Sequence, residues 1–202
     1  MKQIKNIVFD FGGVLIDWNP EYLYEKVFED KAEMEYFLNN VCTYKWNVLQ
    51  DAGRPVALAT AEKQQEFPEY RDEIAMYYGR WDEMLGGEIM ENTRLIKPLS
   101  EKYNTYGLTN WSAETIPVAM ARYEFFKFLK GIVVSGDEKL VKPDPKLYYV
   151  LLNRYNLNPE DTLFIDDNAA NIDTANKLGF QTIHYTVGVG LERQLQKLGV
   201  RL

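Results

Sequence analysis

The 202-residue chain has one cysteine, Cys42, and one histidine, His184. A single cysteine cannot close an internal disulfide, so a reducing compartment is expected. Cys42 falls in a helical stretch and reads as a packing residue, and His184, in an apolar strand pattern, reads as structural rather than catalytic. Basic residues are also scarce: 23 Lys and Arg face 30 Asp and Glu, for a formal net charge of -7. Non-specific nucleic-acid binding depends on cations that neutralise phosphates, so no nucleic-acid partner is expected. No stretch approaches the roughly 18 uninterrupted apolar residues of a membrane span, and the N-terminus enters a short strand directly. The expectation is a soluble cytoplasmic protein, monomer or homodimer, with no membrane partner. No internal repeat or low-complexity segment is present.

The composition, 46% hydrophobic and 26% charged, is that of a globular protein able to bury a real core. Its most informative stretch is Thr162 to Asn171, where an apolar run ends in two adjacent carboxylates, Asp166 and Asp167, before a helix-forming segment. A second run of the same design opens the chain, Ile7-Val8-Phe9-Asp10-Phe11-Gly12-Gly13. If both are parallel strands of one sheet, Asp10, Asp166 and Asp167 meet at its C-terminal edge, where open α/β folds place their ligands. Crowded carboxylates raise one another's pKa unless a cation intervenes, and a hard, oxygen-preferring ion such as Mg2+ suits them.

Five runs carry strand signals: Ile4 to Phe9, Thr105 to Thr109, Gly131 to Ser135, Thr162 to Ile165 and Gln181 to Tyr185. Helical patterns lie between the later ones, at Pro145 to Tyr155 and at Ala170 to Leu178 with Gly179 behind it. Alternation of this kind predicts a Rossmann-like parallel five-stranded sheet with helices on both faces. The interval from Trp18 to Lys97 breaks the rhythm. It shows no convincing strand but several amphipathic stretches, the first behind Asn19-Pro20, a capping residue followed by a helix-starting proline. The expected division is a core of residues 1–17 and 97–202 with an all-helical cap, residues 18–96, inserted over the sheet edge as a lid.

Four segments in order, Phe9 to Leu15, Leu108-Thr109-Asn110, Lys142-Pro143-Asp144-Pro145 and Phe164 to Asp167 followed by Asn171, resemble the motifs of the haloacid dehalogenase-like (HAD) hydrolase superfamily. The resemblance spans nearly the whole core and only loosely the insertion. It implies Asp10 as nucleophile, Lys142 as the cation against phosphate and nucleophile, and Thr109 and Asn110 as hydrogen-bonding partners of a phosphoryl group. It also implies Mg2+ held by Asp10, the Gly12 carbonyl and Asp167, with Asp166 as a water-mediated or supporting partner and Asn171 bonded to Lys142 or the nucleophile.

In one respect the sequence departs from that pattern. Phosphatases of the superfamily usually carry a second Asp two residues after the nucleophile, as acid and then base; here Gly12 stands in its place. Another carboxylate could substitute, the leaving group could need little protonation, or turnover could be slow. Bacterial sugar-phosphate phosphatases similar to α-glucose-1-phosphatase share this glycine. The expected function is Mg2+-dependent hydrolysis of small phosphorylated metabolites, sugar phosphates among them, through an aspartyl-phosphate. The alternatives are a metal-independent 2-haloacid dehalogenase and a catalytically silent binding protein. Specificity is expected from the insertion, with Trp46, Asn47, Arg54 and Trp81 as candidates.

Overall fold

The computed structural model describes residues 2–202. Strand β1 (Asn6–Phe9) leads into β2 (Ile16–Trp18), and a helical segment follows: α1 (Glu21–Tyr24), α2 (Lys31–Tyr36), α3 (Tyr44–Asp51), α4 (Val56–Glu66) and α5 (Arg71–Gly79). The chain returns through β3 (Leu85–Glu88), α6 (Met90–Thr93) and α7 (Ile96–Ser100) to β4 (Asn104–Thr109). It then alternates through α8 (Ile116–Arg122), β5 (Gly131–Val134), α9 (Ser135–Glu138), α10 (Pro145–Tyr155), β6 (Thr162–Asp166), α11 (Ala169–Lys177), β7 (Gln181–His184) and α12 (Leu191–Lys197). No helix of the described residues is long and apolar enough to cross a membrane.

The main sheet is parallel, in the order β5-β4-β1-β6-β7, so β1 lies at its centre and pairs with both β4 and β6. Each strand alternates its side chains between two covered faces. Ile7, Phe9, Leu163 and Ile165 point into one apolar cluster, while Val8, Phe164 and Leu108 point into the other, against Leu147, Tyr148 and Leu151 of α10. Local signals position the helices. Asp144 caps α10 by accepting from the Lys146 N–H at 2.9 Å, Asn168 caps α11 through the Ala170 N–H at 2.9 Å, and Gly179 at φ +90° ends α11.

The insertion has its own aromatic interior, which is continuous with the first cluster: Tyr24, Phe28, Phe37, Trp46, Tyr77 and Trp81 pack together, with Trp46 edge-on to Tyr77 at 5.2 Å. Cys42 is buried there. The expectation of no strand in this interval fails at β3, which pairs antiparallel with β2 and forms a two-stranded ribbon at the base of the insertion. Its middle residues are Gly86 and Gly87, so it carries no local strand signal; non-local pairing makes it a strand.

Gly107 of β4 lies opposite Phe9, and a Cβ there would sit 2.2 Å from Cζ of Phe11. Phe11 is fully buried and wedged edge-on against Phe126 at 5.0 Å, so its ring has nowhere to retreat. Gly107→Ala is therefore expected to destabilise the fold by about 1–3 kcal/mol through overpacking. Chemical denaturation checks this: the midpoint should fall with an unchanged slope.

Candidate active site

The site is built from the C-terminal ends of three adjacent strands. Asp10 extends the β1–β6 ladder by one step, donating its backbone N–H to the Ile165 carbonyl at 2.9 Å, and its Oδ1 accepts from the Phe11 N–H at 2.8 Å. Asp166, the last residue of β6, is fully buried. Lys142 reaches the floor between them. Its Nζ donates to Asp10 Oδ1 at 2.9 Å, to Asp166 Oδ2 at 2.7 Å and to the Leu108 carbonyl at 3.0 Å, which accounts for all three ammonium hydrogens. The Lys142–Pro143 peptide is cis.

Burial opposes the charge on Lys142, but Asp10 and Asp166 together outweigh it and hold its pKa above the ordinary lysine value. For Asp10, burial raises the pKa, Lys142 pulls it down, and Asp166 and Asp167 add to the rise, leaving it at about 7. Asp167 is also pushed up, by burial first and then by Asp166. One oxygen from each of the three carboxylates falls within 4.8 Å of the others. Three carboxylates against one ammonium leave an excess of negative charge, and an all-oxygen donor set of this kind fits a hard divalent cation. The backbone makes room for the Asp167 carboxylate: Gly13 takes φ +70°, and a Cβ there would lie 2.3 Å from Asp167 Oδ2. Gly12 has neither constraint; its φ is outside the left-handed region, and a Cβ would meet nothing within 4 Å.

The two amides act as braces. Asn110 holds the Lys142 backbone at both ends, Oδ1 accepting from the N–H at 2.8 Å and Nδ2 donating to the carbonyl at 3.0 Å, so one amide hydrogen remains for a ligand. The sequence leads to the expectation that Asn171 bonds Lys142 or Asp10, and it bonds neither. It donates to both oxygens of Asp166 at 3.0 Å, and the Asn168 N–H adds a bond to Oδ1 at 2.8 Å. Asp166 is thus saturated, and the geometric reason for the difference is that α11 starts directly behind it. Thr109 closes β4 as a buried residue and does not line the cavity; His184 lies outside it, with Nε2 2.9 Å from the Asp167 carbonyl.

Above this floor is a cavity of about 550 Å³ walled on one side by the insertion. Of the four expected specificity residues, Asn47 and Trp81 line it. Trp46 packs into the insertion's interior, and Arg54 pairs with Glu62. Trp18 stacks near Trp81 at 5.4 Å, and both indole N–H groups are buried without a partner among the described residues. Sequence reasoning missed Tyr44, Val48 and Asp51 of α3. With Asn47 they stand at i, i+3, i+4 and i+7, one helical stripe, and that spacing was the available signal. Asp51 is buried, and its Oδ2 accepts from Asn47 Nδ2 at 3.3 Å.

The sequence model of the haloacid dehalogenase-like hydrolases matches residues 4–179. The chain belongs to this family. Among its relatives, the hydrolase is 23% identical to a D-ribitol-5-phosphate phosphatase of Bacteroides thetaiotaomicron over 95% of this chain and 97% of that one. It is 30% identical to (S)-2-haloacid dehalogenase 4A of Burkholderia cepacia, over 38% of this chain and only 33% of that enzyme. A HAD family enzyme of Bacteroides thetaiotaomicron, solved as its magnesium complex, superposes with a TM-score of 0.77 at 21% identity, covering 96% of this chain and all of the other, which confirms the fold.

Burial pushes the Asp51 carboxyl of this hydrolase up to about 7, against a small opposing pull from the Ser112 backbone N–H. The folded protein therefore keeps a proton that the unfolded chain loses near pH 4. Stability falls as pH rises through the window from about 4 to about 7; above it the full penalty of roughly 4 kcal/mol applies, and below it none. Asp51→Asn removes a titrating group while keeping the shape. The variant should melt above wild type at pH 8, with the difference vanishing near pH 4; a variant less stable than wild type at pH 8 contradicts this account.

Proposed function

We propose that this hydrolase removes phosphate from small, hydroxyl-bearing phosphorylated metabolites, sugar phosphates among them, through an aspartyl-phosphate on Asp10. The observation that carries it is the Lys142 ammonium, 2.9 Å from Asp10 on the floor of a cavity of about 550 Å³. A carboxylate fixed beside a buried cation can attack a phosphoryl group whose charge that cation offsets. The free amide hydrogen of Asn110 orients a phosphoryl oxygen, while Thr109 lies behind the cavity wall. Asn171 and Asp166 hold Lys142 in place. Mg2+, held by Asp10, the Gly12 carbonyl and Asp167 with Asp166 behind them, would supply Lewis-acid stabilisation of the phosphoryl charge. In this reading residues 1–17 and 97–202 carry the chemistry, and residues 18–96 form the lid that excludes water and selects the substrate.

The walls suit a polyhydroxylated ligand, since Trp18 and Trp81 offer flat apolar faces while Asn47 and Asp51 offer hydrogen bonds. The D-ribitol-5-phosphate phosphatase, similar along nearly its whole length, supports the same class. The matches to haloacid dehalogenases, the Burkholderia enzyme among them, favour a dehalogenase. Three clustered carboxylates would repel a haloacid's own carboxylate, which argues against it. A silent binding protein leaves unexplained why a lysine is buried at the cost of its hydration.

Phosphate release from a panel of sugar and polyol phosphates tests the reading. Asp10→Asn should lose on the order of 10⁴-fold or more in kcat with an unchanged circular dichroism spectrum. Excess chelator should abolish wild-type turnover and added Mg2+ should restore it. Wild-type turnover by Asp10→Asn would remove the nucleophile, and chloride released from 2-chloropropionate with no phosphate from any ester would transfer the assignment to the dehalogenase.

A further inference from the structure

Cleaving an alkyl phosphate leaves an alkoxide, which needs a proton as it departs. The floor of the site has none to give. Gly12 has no side chain, Lys142 has all three hydrogens engaged, and both oxygens of Asp166 are taken. Asp10 is the proposed nucleophile, and Asp167 belongs to the acidic cluster around the cation site. Two proton-bearing groups remain on the cavity wall, Tyr44 and Asp51. The Tyr44 phenol is made a weaker acid by burial and then by Asp51, Asp10 and Asp167.

Asp51 is held in place from both sides. Its backbone carbonyl accepts from the Ser135 hydroxyl at 2.6 Å, and that same Oγ accepts from the Trp111 N–H at 2.9 Å. Its carboxyl faces Asn47 and the Ser112 N–H. Trp111 and Ser112 continue the loop that begins with Thr109 and Asn110. An insertion residue is thereby fixed to the segment that orients the phosphoryl group, and no lysine or arginine of the described residues pairs with it.

We propose that Asp51 is the proton carrier of this site, standing on the lid in the role that Gly12 cannot fill. As an Asp10 oxygen bonds to phosphorus and the ester P–O bond breaks, the leaving oxygen takes the Asp51 carboxyl proton. The Asp51 carboxylate then accepts a proton from the water whose oxygen attacks phosphorus, the P–O bond to Asp10 breaks, and Asp51 ends protonated again. A carboxyl that keeps its proton near neutrality matches this duty. The proposal rests on the phosphatase reading.

The test compares Asp51→Asn with wild type on p-nitrophenyl phosphate, whose leaving group needs no acid, and on the best alkyl ester of the panel. On the alkyl ester kcat/KM should fall by roughly 10²- to 10⁴-fold. On the aryl ester the pre-steady-state burst of nitrophenolate should keep its wild-type rate while the following steady state slows, because aspartyl-phosphate hydrolysis has lost its base. The double variant Gly12→Asp, Asp51→Asn restores a carboxyl to the cavity lining at a position where a Cβ meets no atom within 4 Å, and should recover about tenfold or more on the alkyl ester. An unchanged alkyl-ester rate in Asp51→Asn, or an equal loss in the burst and on the alkyl ester, overturns the proposal and leaves the phosphatase reading standing. Wild-type protein that releases phosphate from no ester overturns both.

Discussion

The buried ammonium of Lys142 ties together the ends of three neighbouring strands, donating to Leu108 of β4, to Asp10 beyond β1 and to Asp166 of β6. A charge taken out of water is tolerable only while every partner is present, and removing one costs on the order of 3–5 kcal/mol. The surrounding architecture keeps them present. Asn110 grips the lysine backbone on both sides, Asn171 and the Asn168 N–H fix Asp166, and α11 is capped one residue before its first turn so that Asn171 faces back toward the sheet. Two of the three clustered carboxylates, Asp10 and Asp166, are held by this one cation.

The sheet was legible because its strands are covered on both faces, which forces continuous apolar runs such as Ile7-Val8-Phe9 and Leu163-Phe164-Ile165 that end abruptly in carboxylates. Helix starts were legible where a capping residue or proline stands, as at Asp144-Pro145. β3 was not. Gly86 and Gly87 have low strand propensity, and the tight fit of Gly86 against Asp17 and Tyr22 can be known only once β2 lies beside it. The partner of Asn171 was missed for a related reason, since a helical amide can reach either the lysine or the carboxylate until the helix is docked.

On the insertion, composition identified helices but not their orientation. α3 carries Trp46 and Asn47 side by side, and sequence alone offers both to a ligand. Packing separates them: Trp46 turns toward Tyr77, while Asn47 joins Tyr44, Val48 and Asp51 on the face over the site. Two buried polar residues one turn apart, Asn47 and Asp51, are unusual on a short helix. Their reason lies in the core loop that meets them, which no local pattern encodes.

The insertion is hung from the sheet domain at two places. One is the β2–β3 ribbon, continued by the bond from the Ile89 N–H to the Leu15 carbonyl at 2.9 Å. The other is the end of α3, where Ser135 grips the Asp51 carbonyl and the Val56 N–H donates to Glu114 at 2.8 Å. Asp51 sits at the second of these attachments. The carboxyl proposed as proton carrier therefore takes its position from the core loop that grips α3, not from the remainder of the insertion.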